Sequence, residues 1–437
     1  MLYVHNRQQE AGESKKPFLL VCPTSLLYNW VQECEQFAPS LRVFVHHGPT
    51  RLDESQLQTS DWDLIITSYQ LVVRDTNLFQ NITWNGLVLD EAQHIKNVET
   101  KQRRVIKKLK ATHRIALTGT PIENRLRELW SLLDVLNPTY LGTYTDFQNN
   151  FIKPIERDLD KKQLEKLQKL IHPLILRRKK SDQTLQLGLP KKQEIVHPVH
   201  LSVEQAALYQ AVVDDIVNKL AEVTAFERRA LILRSLTKLK QICNHPAHFL
   251  KERSISHHDS GKWDVFMRLI DELIEKEEKV LIFSQYKEMG SLIVHALQEK
   301  FEQTVPFLHG SLTRAKRQEA IQSFQEDPNI HFFVLSLKAG GVGLNLTSAT
   351  NVIHYDRWWN PAVENQATDR AYRIGQTKDV SVHKLVTTGT LEERIDRMLQ
   401  KKQELADQIL AAGEQRVTEL SNEEIIELIQ LTTSAKE

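Results

Sequence analysis

The pattern of hydrophobic and polar residues divides most of the chain into short apolar runs separated by amphipathic stretches of helical periodicity. In the first half of the chain, five apolar runs predict strands, at 17–23, 42–47, 64–69, 86–92 and 114–120. A second series of five predicted strands follows, at 280–285, 305–308, 331–337, 351–356 and 380–387. Strands that alternate with helices are typical of βαβ units around a mostly parallel sheet. The pattern therefore predicts an α/β protein with two parallel-sheet domains in tandem.

The region between the two series is mostly helical, from 202 to 250, and Gly188-Leu189-Pro190 interrupts the chain before it. We therefore expect a first sheet domain over 1–190, a helical insertion or linker over 191–261, a second sheet domain over 262–412 and a charged helical tail over 413–437. Within the second domain, Thr390 and Glu393 fit a capping box at the start of a helix that braces the domain.

The composition narrows the class of protein without indicating a ligand. Of the 437 residues, 41% are hydrophobic and 26% are charged, as in ordinary globular proteins. The net charge of +1 means that any contact with nucleic acid must come from local basic patches such as Arg177–Lys180, although such a cluster is more often a solvated face. The three cysteines show no C-x-x-C spacing, which argues against a zinc site or a disulfide framework. Because no apolar run reaches transmembrane length and the N-terminus has no signal-peptide pattern, we expect a cytoplasmic protein that does not bind membranes.

The predicted strand at 86–92 ends in two adjacent carboxylates, Asp90 and Glu91. In open α/β sheets, ligands bind beyond the carboxyl ends of the strands, so this pair is placed where a nucleotide would bind. There the first carboxylate can bind Mg²⁺ and the second can orient the water that attacks a phosphate. The alternative for the pair alone is a solvated strand end, where acidic residues are common.

Two further strand ends carry glycines that let the backbone approach a ligand closely. The predicted strand at 114–120 ends in Thr118-Gly119-Thr120, although a simple turn into the next helix explains this piece equally well. The predicted strand at 331–337 leads into a loop with three glycines, Gly340, Gly341 and Gly343. Such a loop permits close approach to a phosphate or a ribose, but it is not specific when taken alone.

Two arginines in the second domain are candidates for contact with phosphates. Gln366, Arg370 and Arg373 are spaced at i, i+4 and i+7, which predicts that they share one face of a helix. Two arginines on one face suit an anionic target, and an arginine supplied to a transferring phosphoryl group accelerates the reaction on the order of 10³–10⁵-fold. The alternative, which can hold at the same time, is an ion pair between Asp369 and Arg373.

These motifs, taken in their order along the chain, resemble the Swi/Snf-type ATPases of helicase superfamily 2, in particular the bacterial HepA-like members. Asp90-Glu91-Ala92-Gln93 has the form D-E-x-H/D/Q of the acidic box of that superfamily. The other matching stretches include LLVCPTSLLYNW, LIITSY, ALTGTPIENRLRELWSLLDVLNP, LKQICNHP, SGKW, DRWWNP and RIGQ. The matches extend over roughly 17–400, so the resemblance is highly specific. Tyr372 departs from the family pattern, in which many members have histidine at this position.

The resemblance implies two RecA-like lobes with helical insertions that close on ATP and Mg²⁺ while they hold double-stranded DNA. Asp90 would bind Mg²⁺ and Glu91 would activate the attacking water. The other residues implied at the nucleotide are Gln93, Gly119, Thr120, Gly341 and Gly343, with Gln366, Arg370 and Arg373 supplied by the second lobe. The residues implied along the DNA path are Pro23, Thr24, Ser284, His309, Lys338 and Trp358. Chemistry alone would place the pair Trp358-Trp359 in the core.

The same resemblance implies the activity and the partners of a motor protein. Members of the family move along duplex DNA and remodel DNA-bound protein complexes, in general without separating the strands. We therefore expect a monomer located at the bacterial nucleoid, or in the nucleus if the source is eukaryotic. Two other functions stay open at this point: a DNA- or protein-binding module without hydrolysis, and a helicase that separates strands.

One motif of the family is absent from the sequence: the P-loop, G-x-x-x-x-G-K-S/T, which should precede the strand at 17–23. Gly12 is followed by Glu-Ser-Lys-Lys, without the second glycine, and Gly261-Lys262 is followed by Trp263. Residues 1–11 resemble the end of the helix that a P-loop opens. We therefore expect an N-terminally truncated member that binds ATP weakly and hydrolyses it little or not at all, because a P-loop supplies the amides and the lysine that hold the β- and γ-phosphates.

Overall fold

The computed structural model describes the chain at 16–49, 51–53, 55–56, 61–119, 126–158, 160–176, 178, 180, 188–220, 223–255, 259–337, 344–397 and 421–431. The chain divides into two compact units, Met1–Arg178 and Lys179–Glu437. Within the described residues, each unit contains one parallel β-sheet, so the predicted α/β class with two tandem sheet domains is confirmed. No helix in these ranges is long and apolar enough to cross a membrane.

The first unit is built on a five-stranded parallel sheet. Its strands are β1 (Phe18–Cys22), β2 (Val43–Val45), β3 (Leu64–Ser68), β4 (Thr83–Leu89) and β5 (Lys110–Ala116), in the order β2-β3-β1-β4-β5. All residues of β1 and β3, and all of β4 after Thr83, are buried. Strands that are covered on both faces read as continuous apolar runs, which is why these three could be recognised in the sequence.

The helices of the first unit lie between the strands and after β5. They are α1 (Leu27–Phe37), α2 (Tyr69–Arg74), α3 (Thr76–Gln80), α4 (Lys101–Lys107), α5 (Leu126–Leu136), α6 (Tyr144–Phe147), α7 (Lys153–Glu156) and α8 (Lys161–Ile171). A 3-10 turn, Thr24–Leu26, leads directly from the end of β1 into α1. Because β1 pairs with β4, α1 begins next to the carboxyl end of β4.

The second unit is built on a six-stranded sheet in which all described strand pairs are parallel. Its strands are β6 (Lys192–Val199), β7 (Val280–Ser284), β8 (Phe307–Leu308), β9 (Phe332–Ser336), β10 (Asn351–His354) and β11 (Val380–Thr387), in the order β6-β11-β10-β7-β9-β8. The strands β7, β9 and β10 are buried throughout. They form the centre of the unit, and their carboxyl ends carry several of the predicted site residues.

The helices of the second unit cover this sheet and form a further core among themselves. They are α9 (Val203–Leu220), α10 (Ala225–Asn244), α11 (Pro246–Leu250), α12 (Gly261–Glu275), α13 (Lys287–Phe301), α14 (Arg314–Glu326), α15 (Pro361–Thr368), α16 (described over 391–397) and α17 (Asn422–Ile429). Apolar residues of α9 and α10 pack with Trp359, Leu391 and Ile395. Ile425 and Ile429 of α17 join the same core, so part of the charged tail is a docked helix.

The segment Lys192–Val199, which we expected in a helical linker over 191–261, forms the edge strand β6. It pairs in parallel with β11 over its whole length, and Glu194 forms an ion pair with Lys384 of β11. The strand is half-exposed and polar, which suits the edge of a sheet. Because it is not an apolar run, the sequence pattern did not predict it as a strand. The helices α9 to α11 also belong to the second unit, since the division between the units falls after Arg178.

The hydrogen bonds that begin α16 differ by one position from the predicted capping box. The hydroxyl of Thr390 accepts from the amide of Glu392 at 3.2 Å, and the carboxylate of Glu393 accepts from the amide of Gly389 at 2.8 Å. The side chain of Glu392 turns inward and accepts from Nζ of Lys262 at 2.6 and 2.8 Å. Both members of this ion pair are fully buried, so the start of α16 is fixed to α12 inside the unit.

Candidate functional site

Asp90 lies immediately beyond the end of β4, where its backbone and its carboxylate are both held. Its amide donates to the carbonyl of Val21 at 2.9 Å, and its carbonyl accepts from the hydroxyl of Tyr69 at 2.8 Å. Its Oδ2 accepts from the indole Nε1 of Trp30 at 2.8 Å, and Oδ1 accepts from the amide of Glu91 at 2.9 Å. These four hydrogen bonds come from β1, α1, α2 and the next residue, so the carboxylate is fixed in position by the surrounding fold.

Glu91 has a left-handed backbone conformation, with φ of 48° and ψ of 53°. For a residue other than glycine this conformation costs about 1–2 kcal/mol, and surrounding bonds must maintain it. The carboxylate of Glu91 accepts from Nε2 of Gln93 at 2.6 Å, and Oε1 of Gln93 accepts from the hydroxyl of Thr118 at 3.0 Å. The amide of Ala92 donates to the carbonyl of Leu117 at 3.0 Å. The ends of β4 and β5 are therefore joined through Glu91 and Gln93.

Four described groups beside the two acids, Cys22, Tyr69, Trp30 and Gln93, are neutral at ordinary pH. Burial raises the pKa of the Cys22 thiol and of the Tyr69 phenol well above their usual values, and the charge of Asp90 raises both further. Trp30 and Gln93 donate hydrogen bonds without carrying charge. Carboxylate oxygens are the ligands that Mg²⁺ prefers, and oxygens that each hold one donor keep capacity for another contact. The residues present therefore fit a Mg²⁺ ion at Asp90.

Three predicted residues of the first unit lie on the two segments that leave this region. Pro23 is half-buried and precedes the turn that opens α1, and Thr24 is exposed on that turn. Gly119 is exposed directly after Thr118. Thr120, which we also expected at the nucleotide, lies outside the described residues.

Arg370 and Arg373 do not share a helix face with Gln366, which corrects our expectation from their spacing. The helix α15 ends at Thr368, so it contains Gln366 but neither arginine. After Thr368 the chain turns, and Gly375 has a φ of 101°. We call residues 369–376 the arginine turn.

The side chain of Gln376 explains why the arginine turn leaves the helical path. Its Nε2 donates to the carbonyls of Thr347 at 3.0 Å, Ala349 at 2.9 Å and Ala371 at 3.2 Å. The amide of Leu346 donates to the carbonyl of Arg370 at 2.9 Å. The arginine turn is therefore fastened to the segment that follows the glycine-rich loop, a tertiary contact that the local spacing does not reveal.

A lysine from the basic cluster also holds the arginine turn. Nζ of Lys180 lies 2.8 Å from Oδ1 of Asp369, donates to the carbonyl of Tyr372 at 2.6 Å and lies 5.5 Å from the centre of the Tyr372 ring. The hydroxyl of Tyr372 donates to the carbonyl of Pro190 at 3.0 Å. Burial lowers the pKa of Lys180, and Asp369 partly offsets that effect. Lys180 and Tyr372 therefore connect the segment before β6 to the arginine turn.

Asp356 occupies the end of β10 in a manner that resembles Asp90 at the end of β4. Its Oδ2 accepts from the hydroxyl of Ser284 at 2.6 Å and from Nδ2 of Asn244 at 3.1 Å, and its Oδ1 accepts from the amide of Gln285 at 2.9 Å. Asp356 is fully buried, and burial raises the pKa of its carboxyl. Ser284, which we expected near the DNA path, is 1% exposed and uses its hydroxyl to hold Asp356. Its place along DNA stays a prediction.

The two adjacent tryptophans have different environments. Trp359 is 5% exposed and packs in the core of α9 and α10, with Nζ of Lys240 at 4.8 Å from its ring centre. Trp358 is half-buried and lines a cleft of about 370 Å³ together with Lys240, Gln285 and Tyr286. Trp359 thus has the expected core position, and Trp358 packs against the core of the second sheet while it also lines the cleft.

His309 lies after β8 and is half-buried, with its Nδ1 at 2.8 Å from the hydroxyl of Ser311. Burial lowers its pKa, and the charge of Lys287 lowers it further. Lys338, Gly341 and Gly343, which we expected at the DNA and the nucleotide, lie outside the described residues. Several residues that hold the site, among them Trp30, Tyr69 and Lys180, were not assigned from the sequence because their contacts join distant segments.

Comparison with known families gives the class to which this fold and these strand-end motifs belong. The family model described as SNF2-related domain matches residues 1–248, and the model described as helicase conserved C-terminal domain matches residues 261–375. The chain belongs to the SNF2-related family of helicase-like ATPases. The recognition made from the motifs is therefore confirmed.

Individual relatives are similar along nearly the whole chain. YwqA of Bacillus subtilis (strain 168), whose name places it among ATP-dependent helicases or translocases, is 48% identical over 434 residues, which cover 98% of this chain and 47% of YwqA. The human SWI/SNF-related matrix-associated actin-dependent regulator of chromatin subfamily A member 1 is 35% identical over 434 residues, which cover 95% of this chain and 41% of that protein. The chain thus spans less than half the length of these two relatives.

A solved structure with the same fold is the SWI2/SNF2 ATPase core of Sulfolobus solfataricus in complex with double-stranded DNA. It is 43% identical to this chain, has a TM-score of 0.51, and the match covers 99% of this chain and 90% of that one. The likeness confirms the expectation of two RecA-like lobes.

Proposed function

We propose that these 437 residues form the ATP-dependent motor core of a protein that translocates along double-stranded DNA, with Asp90 as the ligand of Mg²⁺ and Glu91 as the group that orients the attacking water. The observation that carries the proposal is the chain of hydrogen bonds at the end of β4, which holds Glu91 in a left-handed conformation between Asp90 and Gln93. A strained residue held in this way, beside a second carboxylate at a strand end, is typical of a functional site.

Each group at the end of β4 has a separate task in this proposal. When bound, Mg²⁺ stabilises the charge that develops on the phosphates. Asp90 holds the ion, and the carboxylate of Glu91 accepts a hydrogen bond from the water that attacks the γ-phosphate. Gln93 fixes the orientation of Glu91, and Thr118 ties Gln93 to the end of β5. A movement of the loop after β5 would therefore change the position of Glu91.

The arginine turn supplies the positive charge in this proposal. Arg370 and Arg373 would contact the phosphates and stabilise the transferring group. Gln376 and Lys180 hold the turn that carries both arginines, so the turn is already shaped within its own unit. Such preorganisation is what an arginine finger requires, because a side chain that must first be ordered contributes less to the rate.

Duplex DNA is the proposed track, and a DNA-bound protein complex is the proposed target. The similar archaeal core was solved with double-stranded DNA, and the similar human protein is named as a regulator of chromatin. Pro23 and Thr24 are proposed to contact DNA in the first unit, and His309 and Trp358 in the second. We infer a monomer that works in the cytoplasm, at the DNA.

The chain by itself is proposed to turn over ATP slowly. The 437 residues contain no G-x-x-x-x-G-K-S/T sequence, and the amides and lysine of that loop are the groups that hold the β- and γ-phosphates in the family. DNA binding depends on other residues, so it should persist while ATP turnover is low. The two activities can therefore be measured separately on this chain.

The test uses the purified chain in two assays. Fluorescence anisotropy with labelled duplex and single-stranded DNA, over a series of salt concentrations, measures the affinity and the number of phosphate contacts. A coupled assay then measures ATP hydrolysis with and without each DNA. Asp90→Asn and Glu91→Gln serve as the site variants, and Asp271→Asn, which changes an exposed acid on α12, serves as the control.

The outcomes separate the candidate functions. Salt-dependent binding of duplex in preference to single strands, with slow turnover, supports the proposal for this chain. Rapid duplex-stimulated hydrolysis that is lost in Glu91→Gln supports the motor and overturns the expectation of slow turnover. Preference for single strands with strand separation would favour a helicase, and absence of DNA binding would overturn the proposal.

A further inference from the structure

The indole of Trp30 is directed at the carboxylate that the proposed function assigns to Mg²⁺. Trp30 lies in the first turn of α1, and its Nε1 donates to Oδ2 of Asp90 at 2.8 Å across 60 residues of sequence. An indole has one polar atom, a donor, so its orientation toward Asp90 satisfies its whole hydrogen-bonding capacity. The ring is half-buried between α1 and the end of β4.

Trp30 fixes the plane of the carboxylate together with the amide of Glu91. The two donors act on different oxygens, Trp30 on Oδ2 and Glu91 on Oδ1. Rotation of the carboxylate about its last bond would break both hydrogen bonds at once. Because the indole is neutral, it restrains Asp90 without cancelling the charge that attracts a cation, as a lysine or an arginine at this place would.

The same helix begins at the turn that is proposed to contact DNA. Thr24–Leu26 form a 3-10 turn that continues without a break into α1, and Trp30 follows within the first turn of the helix. Pro23 at the start of this segment directly follows β1, whose neighbour is β4. A displacement of the turn by a DNA backbone would therefore move Trp30 relative to Asp90.

We infer that Trp30 is a positioning residue for the metal ligand Asp90 and that it connects the proposed DNA contact at Pro23 and Thr24 to the nucleotide site. The inference rests on the proposed role of Asp90. In this role Trp30, the last residue of the LLYNW stretch, sets the angle at which the carboxylate of Asp90 binds the ion. Neither carboxylate can do this for itself.

The first measurement follows the tryptophan side chains by nuclear magnetic resonance. The chain has seven tryptophans, and the indole N–H signal of Trp30 is the one missing in Trp30→Phe. The matched control is Trp62→Phe, since the ring of Trp62 packs against Phe44 of the edge strand β2, with 5.3 Å between ring centres. Mn²⁺ with ATP, added as a paramagnetic substitute for Mg²⁺, should broaden the Trp30 signal at lower concentration than the Trp62 signal. The method detects a small bound fraction, so weak binding of ATP is no obstacle.

The second measurement determines the affinity for Mn²⁺ in the presence of ATP from the resonance of free Mn²⁺. Trp30→Phe keeps an aromatic ring in place but removes the donor, and we expect the affinity to fall by about 10-fold, as for other residues that orient a metal ligand. Trp62→Phe should leave it unchanged. Addition of duplex DNA should shift the Trp30 signal, and Thr24→Ala should reduce this shift.

The outcomes distinguish a failure of this inference from a failure of the proposed function. If Asp90→Asn abolishes Mn²⁺ binding while Trp30→Phe does not change it, and the Trp30 signal is insensitive to Asp90→Asn, the inference is overturned and the role of Asp90 stands. If Asp90→Asn leaves Mn²⁺ binding unchanged, the proposed function itself fails. Should Trp30→Phe unfold, the indole signals are assigned by sequential backbone and side-chain experiments on the unsubstituted chain, and the shift of the Trp30 signal in Asp90→Asn decides the inference.

Discussion

Asp90 and Asp356 follow the ends of buried strands in their two sheets, and neutral donors bind both oxygens of each carboxylate. They differ in burial: Asp90 is half-buried, whereas Asp356 is 0% exposed and α10 contributes Asn244 to hold it. An acid at the end of a parallel strand can bind a ligand only where its oxygens stay accessible, so burial favours Asp90 over Asp356 for the proposed role. In the second unit the acids instead hold the structure together, as Glu392 does with Lys262.

The largest expected effect concerns the buried ion pair between Lys262 and Glu392, which has a structural role. Lys262→Met leaves the carboxylate of Glu392 buried without its cation, and we expect the free energy of unfolding of the second unit to fall by about 3–5 kcal/mol. Urea unfolding followed by circular dichroism measures it. The control is Lys300→Met, which removes an ion pair with Asp271 whose members are 41% and 44% exposed and should cost at most about 1 kcal/mol. Equal effects of the two substitutions would contradict the structural role.

The second prediction compares the two strand-end acids directly. Asp356→Ala leaves buried donors from Ser284, Gln285 and Asn244 without their acceptor, and we expect a loss of about 3 kcal/mol in unfolding free energy. Asp90→Ala should cost about 1 kcal/mol, because water can reach donors in a half-buried site. Thermal and urea unfolding of both variants give the comparison. A larger loss for Asp90→Ala would show that the two acids were assigned the wrong roles.

The third prediction concerns acid sensitivity of the second unit. Burial lowers the pKa of His354 to about 3 and of His383 to about 4, with smaller contributions from nearby cations and from His197. Both side chains are neutral in the folded protein, whereas the unfolded chain binds protons as the pH falls below about 6.5. Their contribution to stability is therefore full above about pH 6.5 and is lost as the pH falls toward 4, by roughly 2–3 kcal/mol for each histidine.

Unfolding free energies measured between neutral pH and pH 4 test this dependence. His383→Gln keeps a polar side chain beside Asn351 but cannot be protonated, so it should flatten the pH dependence of the second unit. An equally steep dependence in His383→Gln would exclude this histidine as a cause.

The smallest expected effect concerns the hydrogen bonds that link Thr118, Gln93 and Glu91 in the first unit. Thr118→Val keeps the shape of the side chain and removes the hydrogen bond to Oε1 of Gln93, so we expect a loss of about 1 kcal/mol in the unfolding free energy of the first unit. Differential scanning calorimetry measures it. Thr112→Val on the exposed face of β5 is the matched control and should have less effect. A loss of unfolding free energy as large as that of Lys262→Met would contradict the expectation that this hydrogen bond stabilises the first unit less than the buried ion pair stabilises the second.

The sequence predicted most of the architecture because the central strands are short, continuous apolar runs. The predicted strands at 64–69, 280–285 and 331–337 match the observed β3, β7 and β9 to within a residue at either end. Burial on both faces forces such runs, so the signal is local. Strand β6 lacks that signal because it lies at the edge, where half of its surface is polar.

The candidate site was predictable only as far as its residues are neighbours in sequence. Asp90, Glu91 and Gln93 belong to one motif, whereas the hydrogen bond between Gln93 and Thr118 of the second motif is seen only in the structure. The prediction that Arg370 and Arg373 lie on a helix was wrong, because Gln376 donates hydrogen bonds to distant carbonyls and so shapes the arginine turn. The periodicity of the sequence does not reveal such a contact. Trp30 reaches Asp90 across 60 residues, so only the fold could reveal the contact.

The position of β6 has a mechanical consequence. Among the described residues, β6 is the first strand of the second unit along the chain, and it pairs with β11 in register through eight residues, from Lys192 to Val199. A pull that enters at Lys192 along the strand axis would load all of these hydrogen bonds together in shear, instead of opening them one after another like a zipper. Strand β6 would therefore act as a stiff tether, able to pass tension from the preceding segment into the sheet without peeling away from it.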